Sequence, residues 1–495
     1  MSRFFSIGML LLCIFDFRSA LAGGPTPPGS NSLFGLYFNS FTLSAAGPGP
    51  DYYVLGDVFL EPGCTMTVEP GVTVHFVANH DTLQSGDFPT KSELIVDGGS
   101  LVVNGGVADS VYFTSTSSTP QEGDWGQIKF ALNGTGYCQY ASLHYATNGF
   151  YNASSESVSV LRTRIADVAQ LGVRASGTKG LFQQVTIERT GSHGIYDDGT
   201  DALRWNKIRN TTGDGIRVGG TALPRPEILG NDLTDCGGDG IYVLSSVNTI
   251  SLKNNLIVRA GNGVRMDYDA CCGSGTPLIV DYCTITNCRA NGVILNYIGG
   301  GYFLYTYMII TNSIIALNGN FGVSDSFSGS DDLIHHNDLW GNASGGYSGT
   351  TCDDHCYSIN PLFENPSADD YQLIMQSSLR VAGVNGTQIG RYGPSPGGST
   401  GLPREEQFPG LISLQQNFPN PFSGRTNFLV VAARNLEGRM ELVGVDGKLL
   451  KSWTVSLREG ENVLPFSNPD LSPGVYFYRL SGPGFVQSRK LVIRD

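Results

Sequence analysis

Charge, helical periodicity and long apolar runs are all scarce in this sequence. Asp, Glu, Lys and Arg make up 15% of the 495 residues, and the formal net charge is −13. The basic residues gather nowhere, which excludes the positive patch that grips nucleic-acid phosphates or anionic lipid. The acidity suits solubility; no cofactor is expected, with calcium kept open. No stretch sustains apolar residues at a 3.6-residue spacing, so long amphipathic helices are excluded. No apolar run is long enough for an ordinary membrane-spanning helix, so no transmembrane anchor is expected. What is abundant is glycine, at 65 residues. Short Val/Ile/Leu runs stand between Gly, Asn and Asp clusters, the rhythm of an all-β chain.

The first residues have the form of a secretory signal, with Arg3, the apolar run Ile7–Phe15 and the small-residue site Ala20–Ala22. Residues 1–22 are therefore read as a signal peptide. Of the 10 cysteines, Cys13 lies inside it and nine remain. An odd number in an exported chain means at least one free thiol or one intermolecular bond.

Residues 23–50 are rich in Gly, Pro and Ser and read as a lead-in. Strand–turn–strand stretches follow, including "TMTVEPGVTVHF" (Thr65–Phe76), "SELIVDGGSLVVNGG" (Ser92–Gly106) and "GDWGQIKF" (Gly123–Phe130). A repeat then begins, anchored on glycine followed by Ile or Val at Gly172, Gly194, Gly215, Gly240, Gly263, Gly292 and Gly322. Successive anchors are 22, 21, 25, 23, 29 and 30 residues apart. A period of 20–30 residues means a solenoid with one coil per repeat, and short β-branched runs make it a parallel β-helix.

The columns agree. Seven residues before the second to seventh anchors stand Ile187, Ile208, Leu233, Leu256, Ile285 and Ile315, an inward aliphatic stack. Nine before, Asn206, Asn231 and Asn254 suit a side-chain amide ladder. One before come His193, Asp214, Asp239, Asn262, Asn291 and Phe321. Most of these tolerate left-handed backbone, so the column reads first as a turn. Residues 51–393 are assigned to the solenoid and the Pro/Gly/Ser-rich 394–410 to a linker. Residues 411–495 alternate as short strands with the hairpin turn "VDGK" and read as a small antiparallel β-sandwich.

"QNFPNPFSGRTNF" (Gln416–Phe428), "VDGKLL" (Val445–Leu450), "LSPGVYFYRL" (Leu471–Leu480) and "RKLVIR" (Arg489–Arg494) occur in that order. Together they resemble the type A sorting domain of the bacterial type IX secretion system, related in form to FlgD-like Ig modules. The resemblance implies handling by outer-membrane secretion machinery. It also implies a secreted or outer-surface location in a Gram-negative-type bacterium. The opening strands, the repeat and "INPLF…DYQL" (Ile359–Leu373) resemble right-handed β-helix repeat proteins. That implies a fold and not an activity, since lyases, hydrolases, epimerases, tailspikes and inert surface proteins share it.

In a strand the residue after an inward one points outward. Past the anchors this places Tyr196, Arg217, Tyr242 and Arg265 in one vertical row, followed by Ile294 and Ser324. Aromatic faces and guanidinium forks suit a polysaccharide bearing carboxylates, while a plain cation–π ladder needs no ligand. Asp214 and Asp239, with Asp197, Asp198 and Asp267 near in register, would not by themselves supply calcium's 6–8 oxygens, and no calcium-loop spacing occurs. Cys352, His355 and Cys356 in "TTCDDHC", with His335 and His336 upstream, fit either a zinc site or a short disulfide loop. The pairings of Cys236, Cys271, Cys272, Cys283 and Cys288 stay open. Phe303, Tyr305 and Tyr307 in "YFLYTYM" form a further aromatic group, as glycan platform or as packing. No catalytic set is identified. The expected role is binding or structural, toward polysaccharide. The alternative is a polysaccharide lyase or glycoside hydrolase acting on an acidic glycan along the row.

Overall fold

The computed structural model describes residues 31–45, 51–199, 201–219, 227–245, 249–268, 277–298, 306–326 and 332–393. In the last segment it describes 412–414, 417, 420, 422, 425–432, 436–444, 449–458, 460–467, 471–482 and 485–494. The signal stretch 1–22, the linker 394–410, Cys271, Cys272, Phe303 and Tyr305 lie outside these. The chain forms two compact units, Met1–Gly401 and Leu402–Asp495.

The first unit is a solenoid of three-strand coils. One coil consists of Thr186–Thr190, Ile195–Asp197 and Ala202–Arg204, and the next of Lys207–Thr211, Ile216–Val218 and Glu227–Leu229. Equivalent strands pair in parallel from coil to coil, giving a 23-stranded and a 12-stranded sheet. Such stacking sets neighbouring backbones about 4.8 Å apart, so one side chain per coil fills each inward column. Ile187, Ile208, Leu233, Ile257, Ile285 and Ile315 form one such column, all fully buried. Val173, Ile195, Ile216, Ile241, Val264, Val293 and Val323 form another.

Four expectations shift in detail. The aliphatic column runs through Ile257 rather than Leu256, because that coil has one residue fewer between its column member and Gly263. Leu256 pairs instead with Asp232 and Thr284, on the outer side. The same slip makes Asn255, not Asn254, the third member of the amide ladder. Asn206 Nδ2 donates to Asn231 Oδ1 at 2.9 Å, and Asn231 Nδ2 to Asn255 Oδ1 at 3.1 Å. Left-handed backbone also falls elsewhere than expected: Trp205, Asn254, Tyr282 and Asn312 bend one corner, and Arg189, Asn210, Asp235 and Arg259 another. Finally, strands Ser32–Tyr37 and Phe41–Leu43 join both sheets, so coiling begins inside the stretch 23–50 read as a lead-in.

The anchor glycines answer a packing demand rather than a backbone one. A Cβ on Gly240 would stand 2.3 Å from Ile257 Cγ2 and 2.6 Å from the Gly263 carbonyl. A Cβ on Gly263 would stand 2.1 Å from Ile285 Cγ2. Each glycine thus leaves room for the aliphatic residue of the following coil.

Residues 361–393 fold back over one outer face. Leu373, Leu379, Ala382 and Ile389 pack on Ile314 and Ala316, and Tyr371 packs on Leu256 and Val258. The buried Arg391 ties this segment down, donating to Asp232 Oδ1 at 2.8 Å and to the Gly230 carbonyl at 2.7 Å. Asp338 pairs in register with Ile314. It is fully buried, its Oδ1 accepts the Ile359 N–H at 2.9 Å, and its Oδ2 has no hydrogen-bond partner. Burial pushes this carboxyl up to about 7.

The second unit has two antiparallel sheets, of three and four strands, around one core that includes Phe428, Met440, Tyr478 and Leu491. The strands flanking "VDGK" pair as expected of a hairpin, Leu436–Gly444 with Leu449–Leu457.

Gly240→Ala is expected to cost about 1–3 kcal/mol of stability through overpacking. Gly106→Ala, whose Cβ would meet nothing within 4 Å, is expected to stay within about 0.5 kcal/mol in the same denaturant titration. Asp338 supplies a pH test. Its folded pKa lies above the ordinary carboxylate value, so folding favours the protonated acid. Its contribution is most favourable below pH about 4 and declines as pH rises toward about 7. Asp338→Asn is expected to flatten that decline and to raise the unfolding midpoint at pH 8. An unaltered pH profile would contradict the assignment.

Candidate functional site

The outward residue past each anchor forms the predicted row, in register from coil to coil. Tyr196 lies beside Arg217, Arg217 beside Tyr242, and Tyr242 beside Arg265, with Ile294 and Ser324 beyond. The row also extends upstream through Arg174, Tyr151 and Lys129. Arg174 was legible, since it follows the anchor pair Gly172–Val173 by the same rule. Tyr151 was hidden because its anchor Gly149 is followed by Phe150 instead of Ile or Val. Lys129 was hidden because Gln127 stands where later coils have glycine.

Cation and ring alternate along this row. Arg217 lies 4.3 Å and Arg265 5.3 Å from the centroid of Tyr242. Arg174 lies 4.6 Å and Lys129 5.3 Å from that of Tyr151. The His193 ring stands 6.4 Å from Tyr196. Every cation also meets a carboxylate: Lys129 with Asp87 at 2.7 Å, Arg174 with Asp198 at 3.9 Å, Arg217 with Asp214 at 3.0 Å and Arg265 with Asp267 at 2.7 Å. The face is charge-balanced, not a strip of positive potential.

Tyr242 is buried and its hydroxyl donates to Asp267 Oδ2 at 3.0 Å. Burial and the Asp267 carboxylate both raise its pKa, which keeps the phenol protonated. Burial alone would raise Asp267 too. Hydrogen bonds from Arg265, Asn296 and Tyr242 outweigh it and hold the carboxyl below its ordinary value. The cluster is a satisfied acid–cation–phenol unit.

The column preceding the glycines is a capping ladder. Asp214 Oδ1 accepts the Asp239 N–H at 2.8 Å, Asp239 Oδ1 the Asn262 N–H at 2.7 Å, Asn262 Oδ1 the Asn291 N–H at 3.1 Å and Asn291 Oδ1 the Phe321 N–H at 3.2 Å. At its start His193 Nδ1 accepts the Asp214 N–H at 2.9 Å. That nitrogen therefore carries no proton, and the 3.3 Å approach of Asp214 Oδ2 to it is not an ion pair. Burial lowers the His193 pKa, with the Asp214 carboxylate opposing and Arg217 adding to the effect. Asp, Asn and His are interchangeable here because each offers an acceptor to the next coil.

The carboxylates considered for calcium are engaged: Asp214 and Asp239 in the ladder, Asp267 with Arg265, and Asp197 Oδ1 with the Gly199 N–H. No group of three or more His, Cys, Asp or Glu suited to a metal ion occurs among the described residues. Cys352 and Cys356 form a disulfide, so their sulfurs are not zinc ligands. His336 stacks on His355 at 4.7 Å, and His335 Nδ1 lies 3.0 Å from His336 Nδ1. Cys236, Cys283 and Cys288 are buried free thiols, each pushed by burial up to about 12. Tyr307 is half-buried, and its carbonyl accepts the Leu278 N–H at 3.0 Å.

The geometry defines a parallel β-helix followed by a small antiparallel two-sheet module. Residues 148–301 match the family model of the right handed beta helix region, and residues 416–494 match that of the secretion system C-terminal sorting domain. No curated protein matches the chain. Among solved structures, the catalytic unit of the thermostable GH87 alpha-1,3-glucanase from Streptomyces thermodiastaticus is similar at 15% identity and TM-score 0.46, over 70% of this chain. The chain spans 64% of that unit, less than two thirds of its length. The periplasmic alginate epimerase AlgG is similar at 11% identity and TM-score 0.45, over 65% of this chain and 83% of its own. The tailspike protein of E. coli bacteriophage HK620 is similar at 9% identity and TM-score 0.24, over 93% of this chain and 88% of its own.

The ladder has a direct test. Asp239→Asn keeps the acceptor for Asn262 and is expected to leave stability within about 0.5 kcal/mol. Asp239→Ala leaves that N–H without its partner and is expected to cost about 1–3 kcal/mol in urea unfolding.

Proposed function

We propose that the protein is delivered to the outer surface or medium of a Gram-negative-type bacterium and binds polysaccharide along the outer row. In this reading, residues 411–495 address the chain to type IX secretion machinery, and 394–410 tether them to the solenoid. The binding residues are Tyr196, Arg217, Tyr242 and Arg265, extended by Lys129, Tyr151 and Arg174.

The observation that carries the reading is the unbroken alternation of seven rings and cations in register, six coil steps or about 29 Å long. A repeating polymer meets a repeating surface there, with the outward edges of the cation-flanked rings and the guanidinium forks for its hydroxyl or carboxylate oxygens. The paired carboxylates favour neutral or mixed glycans over strongly acidic ones. They also weigh against the lyase reading, because a base must be able to shed its proton, and Tyr242 is held protonated. Calcium is not needed for this mode of binding.

Affinity electrophoresis against a panel of neutral and acidic polymers tests the proposal. Retardation is expected by at least one polymer, with little change on adding calcium or chelator. The doubly substituted Arg217→Ala/Arg265→Ala protein is expected to bind about tenfold more weakly, a loss of about 1.4 kcal/mol. Unchanged retardation removes the row as a site, and release of unsaturated or reducing ends replaces binding with catalysis.

A further inference from the structure

A second polar constellation lies on a neighbouring face of the coil that carries Tyr151. Strand Ala141–His144 turns Ala141 and Leu143 into the core and leaves Ser142, itself buried, and the half-buried His144 side by side on the opposite face of the strand. Ser142 Oγ is 3.0 Å from His144 Nε2, and His144 Nδ1 is 3.3 Å from Asp167 Oδ2. Asp167 comes from the following coil, at a left-handed bend with φ 57°. Arg189 holds both its oxygens, from Nε at 2.6 Å and Nη2 at 3.0 Å. Arg164 Nη1 stands 3.0 Å from His144 Nε2, and Arg164 Nη2 donates to Glu188 at 2.9 Å.

These contacts decide the tautomer. A guanidinium only donates, so Nε2 bears the lone pair and Nδ1–H donates to Asp167. Burial keeps the imidazole pKa below its usual value, although Asp167 pulls the other way. The Ser142 hydroxyl therefore shares the one Nε2 lone pair with Arg164 Nη1–H, and a hydroxyl beside a histidine whose opposite nitrogen is held by a carboxylate is the arrangement of a nucleophile once Arg164 gives way.

We propose that Ser142, His144 and Asp167 form a nucleophilic site for short-chain carboxylic esters, separate from the glycan row and independent of it. Ser142 Oγ forms a bond to the acyl carbon while its proton passes to His144 Nε2. The carbonyl π pair moves onto oxygen. Protonation of Nε2 removes the acceptor of Arg164, whose freed N–H then faces the oxyanion. Collapse breaks the ester C–O bond, and the His144 proton leaves with the alcohol. Water repeats the sequence on the acyl-serine and releases the acid. Asp167, with Arg189, is a positioning residue that keeps the base in the right tautomer. The register neighbours of Ser142 are Tyr112 and Arg164, so the surroundings are polar or aromatic and suit a small acyl group on a polar alcohol.

The full chain is treated with a fluorophosphonate probe, and labelled peptides are mapped by mass, with 4-nitrophenyl acetate hydrolysis measured in parallel. One phosphonylated residue, Ser142, is expected. Ser142→Ala is expected to abolish both signals, and His144→Gln to slow both by about 100-fold or more. Asp167→Asn is expected to slow both while leaving the unfolding midpoint near that of the parent. Absence of label at Ser142 overturns the proposal. So does a labelling rate that His144→Gln leaves unchanged, which would make the three residues a stabilising polar cluster only.

Discussion

Each coil must set its backbone amides about 4.8 Å above those of the coil below while the aliphatic side chains of both share one interior. Everything else in the solenoid follows from meeting that demand repeatedly. Where the chain crosses from one face to the next, inward Ile and Leu residues press against the backbone of the preceding coil, and only glycine leaves them space. Gly240 under Ile257 and Gly263 under Ile285 show the tolerance, since even a methyl group would overlap a side-chain carbon and a carbonyl. The glycine column and the aliphatic column are two halves of one contact.

Polar groups inside and at the corners obey the same repeat. A buried N–H at a corner needs a partner, and a coil supplies it by offering a side-chain acceptor to the coil beyond. His193, Asp214, Asp239, Asn262 and Asn291 each do this, and inside, Asn206, Asn231 and Asn255 do so in the opposite sense, each accepting a backbone N–H of the coil before. Two of the aspartates in the outer ladder also steer neighbouring cations, Asp214 toward Arg217 and Asp239 toward Arg265. Corner capping and the surface row are therefore coupled: the groups that fix the bend also hold the guanidinium groups over the tyrosine rings.

Two of the three outer faces are finished differently. On one, the closing segment covers Leu256, Val258, Ile314 and Ala316, and Arg391 locks it to Asp232 and the Gly230 carbonyl. Farther up that face the coils carry Arg164, Glu188, His144 and Asp167, joined by hydrogen bonds beside Ser142. The other face keeps its alternating rings and cations over seven coils. A regular solenoid thus presents distinct chemistry on each side of one hydrophobic interior, while the sorting module has a core of its own.

The repeat, the fold class, the outward row from Tyr196 to Arg265 and the sorting module were all legible in the residues, because a parallel coil repeats its needs at nearly fixed spacing. Legibility ended where spacing changed. The coil through Ile257 is one residue short, and counting back from its glycine pointed to Leu256 and Asn254, which face outward. Gly149 and Gln127 departed from the anchor rule, so Tyr151 and Lys129 went unseen. The meaning of Gly-Asp-Gly-Ile was also beyond a linear reading: only stacking shows that the aspartate caps the next coil and that the glycine yields to its aliphatic neighbour. Ser142, His144 and Asp167 carry no motif at all. Two are neighbours on a strand face, and the third arrives from the coil beyond, 23 residues later. The sequence by itself determined the period and the alternation of inside and outside, since those depend on residue type at each position. The tertiary structure alone decided which charges meet, because that depends on how many residues each corner takes.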